Sequence, residues 1–94
     1  MEDDEFEWDA EKARANYAKH GVTFEMAREV FKDPFGIDGI DDRGNYGEAR
    51  LIAIGRAQGE ILHVVYTERN GRLRLISARP ATKRERDDYV RQFN

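Results

Sequence analysis

Between Ala49 and Arg79 the chain carries three apolar runs, Ala49–Gly55, Ile61–Thr67 and Arg72–Ala78, rich in Leu, Ile and Val and separated by breaks that contain Gly. Short runs bounded in this way predict three strands of an antiparallel meander. The second break is Asn70-Gly71, a pair that accepts positive φ at both central positions of a type I′ turn. A two-residue turn there sets the register. Arg69 then faces Arg72, Thr67 faces Arg74, Val65 faces Ile76 and His63 faces Ala78, with Glu68, Tyr66, Val64 and Leu62 beside Leu73, Leu75, Ser77 and Arg79 on the other side. Arginines do not enter a dry core without partners, so the Leu and Val side is the predicted core face. Arg79 falls on that core side, at the strand end. The first break, Arg56-Ala57-Gln58-Gly59-Glu60, allows Arg56 to pair with Ile61 or with Glu60. These choices place Arg50 and Arg56 on opposite faces, and both stay open.

Before the meander the period lengthens to that of a helix. Asp9 is a good N-cap for a helix over Ala10–His20, with Glu11 in its first turn and Ala10, Ala13 and Tyr17 along one face. Gly21 ends it, with Val22 as the following apolar contact. Thr23 caps a second helix, Phe24–Lys32, whose stripe is Phe24, Ala27, Val30 and Phe31, and Asp33-Pro34 stops it. The short connection predicts an αα-hairpin. Phe35–Gly47, rich in Gly and Asp and without a sustained period, reads as a loop. After the meander Thr82-Lys83-Arg84-Glu85 matches a capping box, opening a helix from Lys83 to about Gln92 with Tyr89 and Phe93 in contact. Phe6-Glu7-Trp8 reads as a short strand or strut. The expected fold is α+β: an N-terminal αα-hairpin on a small antiparallel meander of three to four strands, with a C-terminal helix.

Composition narrows the class. Ninety-four residues suit a single domain, and 39% apolar with 11% aromatic content suits a globular core. The absence of Cys excludes disulfides, thiolate metal sites and a Cys nucleophile, and fits a reducing compartment. No apolar run approaches membrane-spanning length, which with the acidic start points to a cytoplasmic protein and no membrane partner. The net charge of −3 hides an asymmetry. Seven acids and no base lie in residues 1–11, so residues 12–94 hold all 16 bases against 12 acids, a balance of +4. An acidic head, with residues 1–5 expected as a frayed, solvated tail, precedes a basic meander and C-terminal helix.

Three ordered pieces resemble the BrnT family of toxins from bacterial type II toxin–antitoxin modules. They are FEWDAEKARANYAKHGVTFEMAREVFKDP, then ARLIAIGR, then VVYTERNGRLRLISARPATKRERDDY. Together they cover nearly all of the chain outside the acidic tail and the 35–47 loop. The resemblance implies a RelE-like fold and RNA cleavage that inhibits translation. It implies as partner a BrnA-type DNA-binding antitoxin that represses the shared operon, so that operator DNA is met only through the antitoxin complex. A homodimer and a heterotetramer with antitoxin both remain open.

The chemistry needs no cofactor, because a ribose 2′-OH can attack its own phosphodiester while the protein moves the proton and neutralises the phosphorane. Histidine exchanges protons near neutral pH and Arg binds phosphate with a charged fork. No His-x-x-His or tight acid pair suggests a metal site. The candidate catalytic residues are His20 in the Lys-His-Gly motif, Arg56 in the Ile-Gly-Arg motif, and Arg79 before Pro80, around a cleft between the hairpin and the sheet. For His20 the plain structural alternative is a cation at a helix C-terminus. For Arg56 it is an exposed turn residue, and for Arg79 an ion pair with Glu68 or Glu85. Lys19, Arg50, Tyr66, Glu68 and Arg69 are the candidate RNA contacts. A strand Tyr in the core and a hairpin-end Glu68/Arg69 pair are the alternatives. His63 is expected to be solvated or partner-binding, and Trp8 to be packing. A second reading is a non-enzymatic binding module whose Arg69/Arg72/Arg74 face docks a protein or nucleic acid.

Overall fold

A computed structural model describes residues 3–41 and 47–93. Its order is β1 (Phe6–Glu7), α1 (Ala10–His20), α2 (Phe24–Ala27), a 3-10 segment (Arg28–Lys32), β2 (Ile37–Asp41), β3 (Arg50–Ala57), β4 (Glu60–Arg69), β5 (Arg72–Pro80), α3 (Lys83–Val90) and a closing 3-10 turn. The class is α+β, as expected, but the sheet has five strands in the order β1-β5-β4-β3-β2. It is mixed rather than antiparallel, because β1 pairs parallel with β5, Phe6 opposite Leu73 and Glu7 opposite Arg74.

Three local expectations need correction. The 35–47 loop is in part strand: Ile37–Asp41 pairs antiparallel with β3, and its sequence hides this because an edge strand needs no apolar period. The rest of that loop, residues 42–46, lies outside the described residues. The second helix keeps α geometry for only four residues and then tightens to 3-10, so the helical hairpin is stunted. Asp3–Glu5 is not frayed. The Asp3 carboxylate accepts from the backbone N–H groups of Glu5 and Phe6, and the Leu73 N–H bonds Glu5 O. Residues 1 and 2 of that tail lie outside the described residues.

The local stop and start signals hold. Asp9 accepts from the N–H groups of Glu11 and Lys12, Thr23 accepts from Met26, and Thr82 with Glu85 completes the capping box. Both hairpins turn on two residues with positive φ, Gln58-Gly59 and Asn70-Gly71. The first turn settles the open register: Arg56 pairs with Ile61.

The second register is correct only up to Tyr66. Arg69 faces Arg72, Thr67 faces Arg74 and Tyr66 faces Leu75. A bulge then inserts Ile76, so that Val65 pairs with Ser77, Val64 with Ala78 and His63 with Arg79. One extra residue moves every later side chain of β5 to the other face. Ala78 thereby joins Leu62, Val64 and Leu75 in the core, and Arg79 leaves it. Phe6, Trp8, Val22, Phe24, Ala27 and Val30 close that core from the helical side. Trp8 meets Phe24 edge to face at 5.7 Å, so it is packing, as expected.

α3 crosses the upper end of the opposite face. Its Glu85 reaches β5 and β4, and Tyr89 donates to the Asp33 carboxylate, which also accepts the Arg56 N–H. Among the described residues no helix is long and apolar enough to cross a membrane.

Candidate functional site at the α1–β5 edge

Because β1 pairs with only two residues of β5, the upper half of that strand has no strand neighbour on its outer side. α1 fills the gap. Asn16, buried, donates to Ala78 O at 2.8 Å and to Val22 O at 3.0 Å, and its Oδ1 accepts the Ala78 N–H at 3.0 Å. A side-chain amide thus replaces a strand partner and ties the helix to the bulged edge. The apolar face expected for α1 is displaced accordingly: Tyr17 is exposed and Asn16 is the buried residue.

Residues spaced by three and four on a helix share a face. Once Asn16 is pinned, Lys12, Lys19 and His20 stand along the same edge. With Ala15, Ile76 and Ser77 they line a cleft of about 250 Å³. Lys12, Lys19, His20 and Ser77 make no side-chain ion pair or hydrogen bond with another described residue, so the cleft offers three cationic or protonatable groups and a hydroxyl. Two motifs distant in sequence, Lys-x-x-x-Asn-x-x-Lys-His-Gly and Ile-Ser-Ala-Arg, therefore meet in one place. Sequence reasoning singled out Lys19 and His20 but missed Lys12, Asn16 and Ser77. The helical spacing was the available signal for Lys12 and Asn16. Ser77 had none, since the bulge decides its direction.

The other candidates lie elsewhere. Arg56 lines a separate depression with Glu29, Lys32 and Asp33, and no residue lines both. The Asp33 carboxyl is held below its usual range: burial opposes this, but the Tyr89 hydroxyl and the Arg56 and Phe35 N–H groups outweigh it. Arg79 is locked in a two-pronged pair with Glu85, at 2.8 and 3.0 Å, rather than lying on the core side. That fork, helped by the Thr82 N–H and against the effect of burial, pulls the Glu85 carboxyl down to about 2. His63, expected to be solvated, is buried, with Nε2 3.6 Å from Glu85 Oε2. His20 is therefore the accessible imidazole of the two.

Tyr66 is buried against Phe31, ring centroids 4.9 Å apart, and burial raises its hydroxyl pKa, so its ring belongs to the core rather than to an RNA base. Arg69 pairs with Glu48 at 3.0 Å rather than with Glu68, which stays exposed opposite Leu73. Arg50 lies opposite Asp41. Among the described residues no three His, Asp or Glu converge as a metal site.

Among curated proteins nothing matches the chain. A family model described as the ribonuclease toxin, BrnT, of type II toxin–antitoxin systems matches residues 8–85, a span that runs from Trp8 through both cleft motifs to Glu85. The cleft residues and the Arg79–Glu85 fork that clasps α3 to the sheet all fall inside it, and on that match the chain belongs to the BrnT family of ribonuclease toxins.

Proposed function

We propose that the chain is a metal-independent endoribonuclease that inhibits translation, with its reaction in the α1–β5 cleft and a BrnA-type DNA-binding antitoxin as its neutralising partner. The observation that carries this reading is the convergence of Lys12, Lys19, His20 and Ser77 in one open cleft. The substrate supplies its own nucleophile. The ribose 2′ oxygen bonds to the adjacent phosphorus, the bond to the 5′ oxygen breaks, and a 2′,3′-cyclic phosphate and a 5′-hydroxyl result. His20 takes the 2′ proton. Lys12 and Lys19 neutralise the charge that grows on the phosphorane oxygens, and the Ser77 hydroxyl donates to one of them. Water at the open mouth protonates the leaving 5′ oxygen.

Arg79 has a positioning role in this scheme, because its fork is spent on Glu85 and holds α3 to the sheet. The test is cleavage of end-labelled RNA by purified chain in EDTA, with His20→Gln and Arg79→Ala alongside. His20→Gln is expected to lose about 10²- to 10⁴-fold in rate, the usual worth of a general base. Arg79→Ala is expected to cleave at near the wild-type rate per folded molecule. A folded His20→Gln that cleaves like wild type removes the cleft from the mechanism.

A further inference from the structure

The arginines on the open sheet face are held by the chain's own oxygens. Arg69 pairs with Glu48, Arg72 Nε donates to Asp3 O, and Arg74 Nη1 pairs with Glu7 Oε2 at 3.2 Å. The Arg74–Glu7 pair differs from the others in two ways. It adjoins the cleft, because Arg74 stands on β5 three residues before the cleft-lining Ser77. The Asp9 carboxyl at the start of α1, held below its usual range first by the Lys12 and Glu11 N–H groups, is also drawn down by the charges of Lys12 and Arg74. Arg74 and Ser77 also face Thr67 and Val65, two residues apart on β4, about 7 Å along the strand. The pair is also poorly satisfied. Glu7 Oε1 is buried and has no hydrogen-bond partner among the described residues, while the Arg74 side chain is 26% exposed and has only one of its N–H groups engaged by Glu7.

We infer that Arg74 is a phosphate subsite for the RNA strand one step outside the cleft, and that the Glu7 carboxylate occupies it until RNA displaces it. The inference rests on the cleft being the RNA site. A carboxylate and a phosphate oxygen offer an Arg fork the same acceptor geometry, so Glu7 acts as a stand-in for the incoming phosphate. The other oxygens of a phosphate at this position would meet the guanidinium N–H groups that Glu7 leaves unused. The partner is a phosphodiester backbone rather than an acidic polypeptide, because the subsite continues a cleft whose other groups are suited to phosphate.

The test is anisotropy binding of a single-stranded oligonucleotide with 2′-deoxy sugars, which the chain cannot cleave, as a function of salt. Glu7→Gln keeps the side-chain shape and removes the competing charge. It is expected to tighten binding by about two- to fivefold, the worth of one part-exposed ion pair. Arg74→Ala is expected to weaken binding and to lower the salt slope by about 0.7, one phosphate contact on a single strand. Arg74→Lys, which keeps charge but loses the fork, is expected to fall between. Thermal melts of each variant report the fold. If Glu7→Gln and Arg74→Ala leave affinity unchanged while Lys12→Ala/Lys19→Ala loses it, the subsite is refuted and the cleft stands. If neither wild type nor Glu7→Gln binds the strand, both fail. If Glu7→Gln tightens polyglutamate but not the oligonucleotide, the surface is for a protein and the inference is overturned.

Discussion

Asn16 makes the sharpest prediction, because three hydrogen bonds depend on one side chain. Its amide donates to Val22 O and Ala78 O and its carbonyl accepts the Ala78 N–H, all in a buried setting. Asn16→Ala removes the partners of a backbone N–H and a C=O at a residue with no exposed surface. A net hydrogen bond is worth about 1 kcal/mol, and each buried group left unpaired costs about 1–3 kcal/mol, so the expected loss is about 3 kcal/mol. In a chain of this size that lowers Tm by about 12–24 °C. Urea melts followed by circular dichroism give the first number and thermal melts the second, while hydrogen exchange at the single Ala78 amide reports the bond itself. That amide is expected to exchange slowly in wild type and much faster in the variant. Asn16→Asp tests the direction of the bonds. It keeps the acceptor for Ala78 N–H but sets a carboxylate against two carbonyls, so at neutral pH it is expected to be no better than Ala, and to recover as the acid protonates. A loss below about 1 kcal/mol with Ala78 still protected would mean that α1 is held to the β5 edge by something else, and the account of the cleft's position would fall with it.

Two further predictions concern stability. Glu85 is held down to about 2 by the Arg79 fork, so its contribution is present above its ordinary range and is lost as pH falls from about 4.5 through 2. Allowing for its partial exposure, wild type is expected to lose about 1–3 kcal/mol more than Glu85→Gln between pH 5 and 2 in paired melts, and parallel curves would remove the clasp from the account. Gly55→Ala would place a Cβ 3.0 Å from Val30 Cγ1 and 3.1 Å from Val30 O, so a cost of about 1–3 kcal/mol is expected in urea melts. An unchanged midpoint would show that the 3-10 segment gives way freely.

The local elements were legible because their causes are local. Asp9, Thr23 and Thr82 cap helices through N–H groups two or three residues away. Asn70-Gly71 turns the chain through its own φ angles, 54° and 77°, and the alternation of Leu62, Val64 and Tyr66 marks the core face within one strand. The family motifs likewise stand in the order of residues, and so did His20 and Lys19. What sequence could not decide depended on partners far along the chain. β2 became a strand because β3 was there to bond it, although Ile37–Asp41 has no apolar period. The bulge at Ile76 turned Arg79 from the core to Glu85 and brought Ser77 to the cleft, and nothing in the composition of β5 announces an unpaired residue. The position of the site followed from the same cause. Asn16 looked like one polar residue on a helix, and only the unpaired edge of β5, left open by a two-residue β1, explains why it is buried and why Lys12, Lys19 and His20 stand where they do. Backbone hydrogen bonds must be satisfied wherever they are buried, and which groups satisfy them at a sheet edge is settled by the whole chain rather than by any one stretch of it.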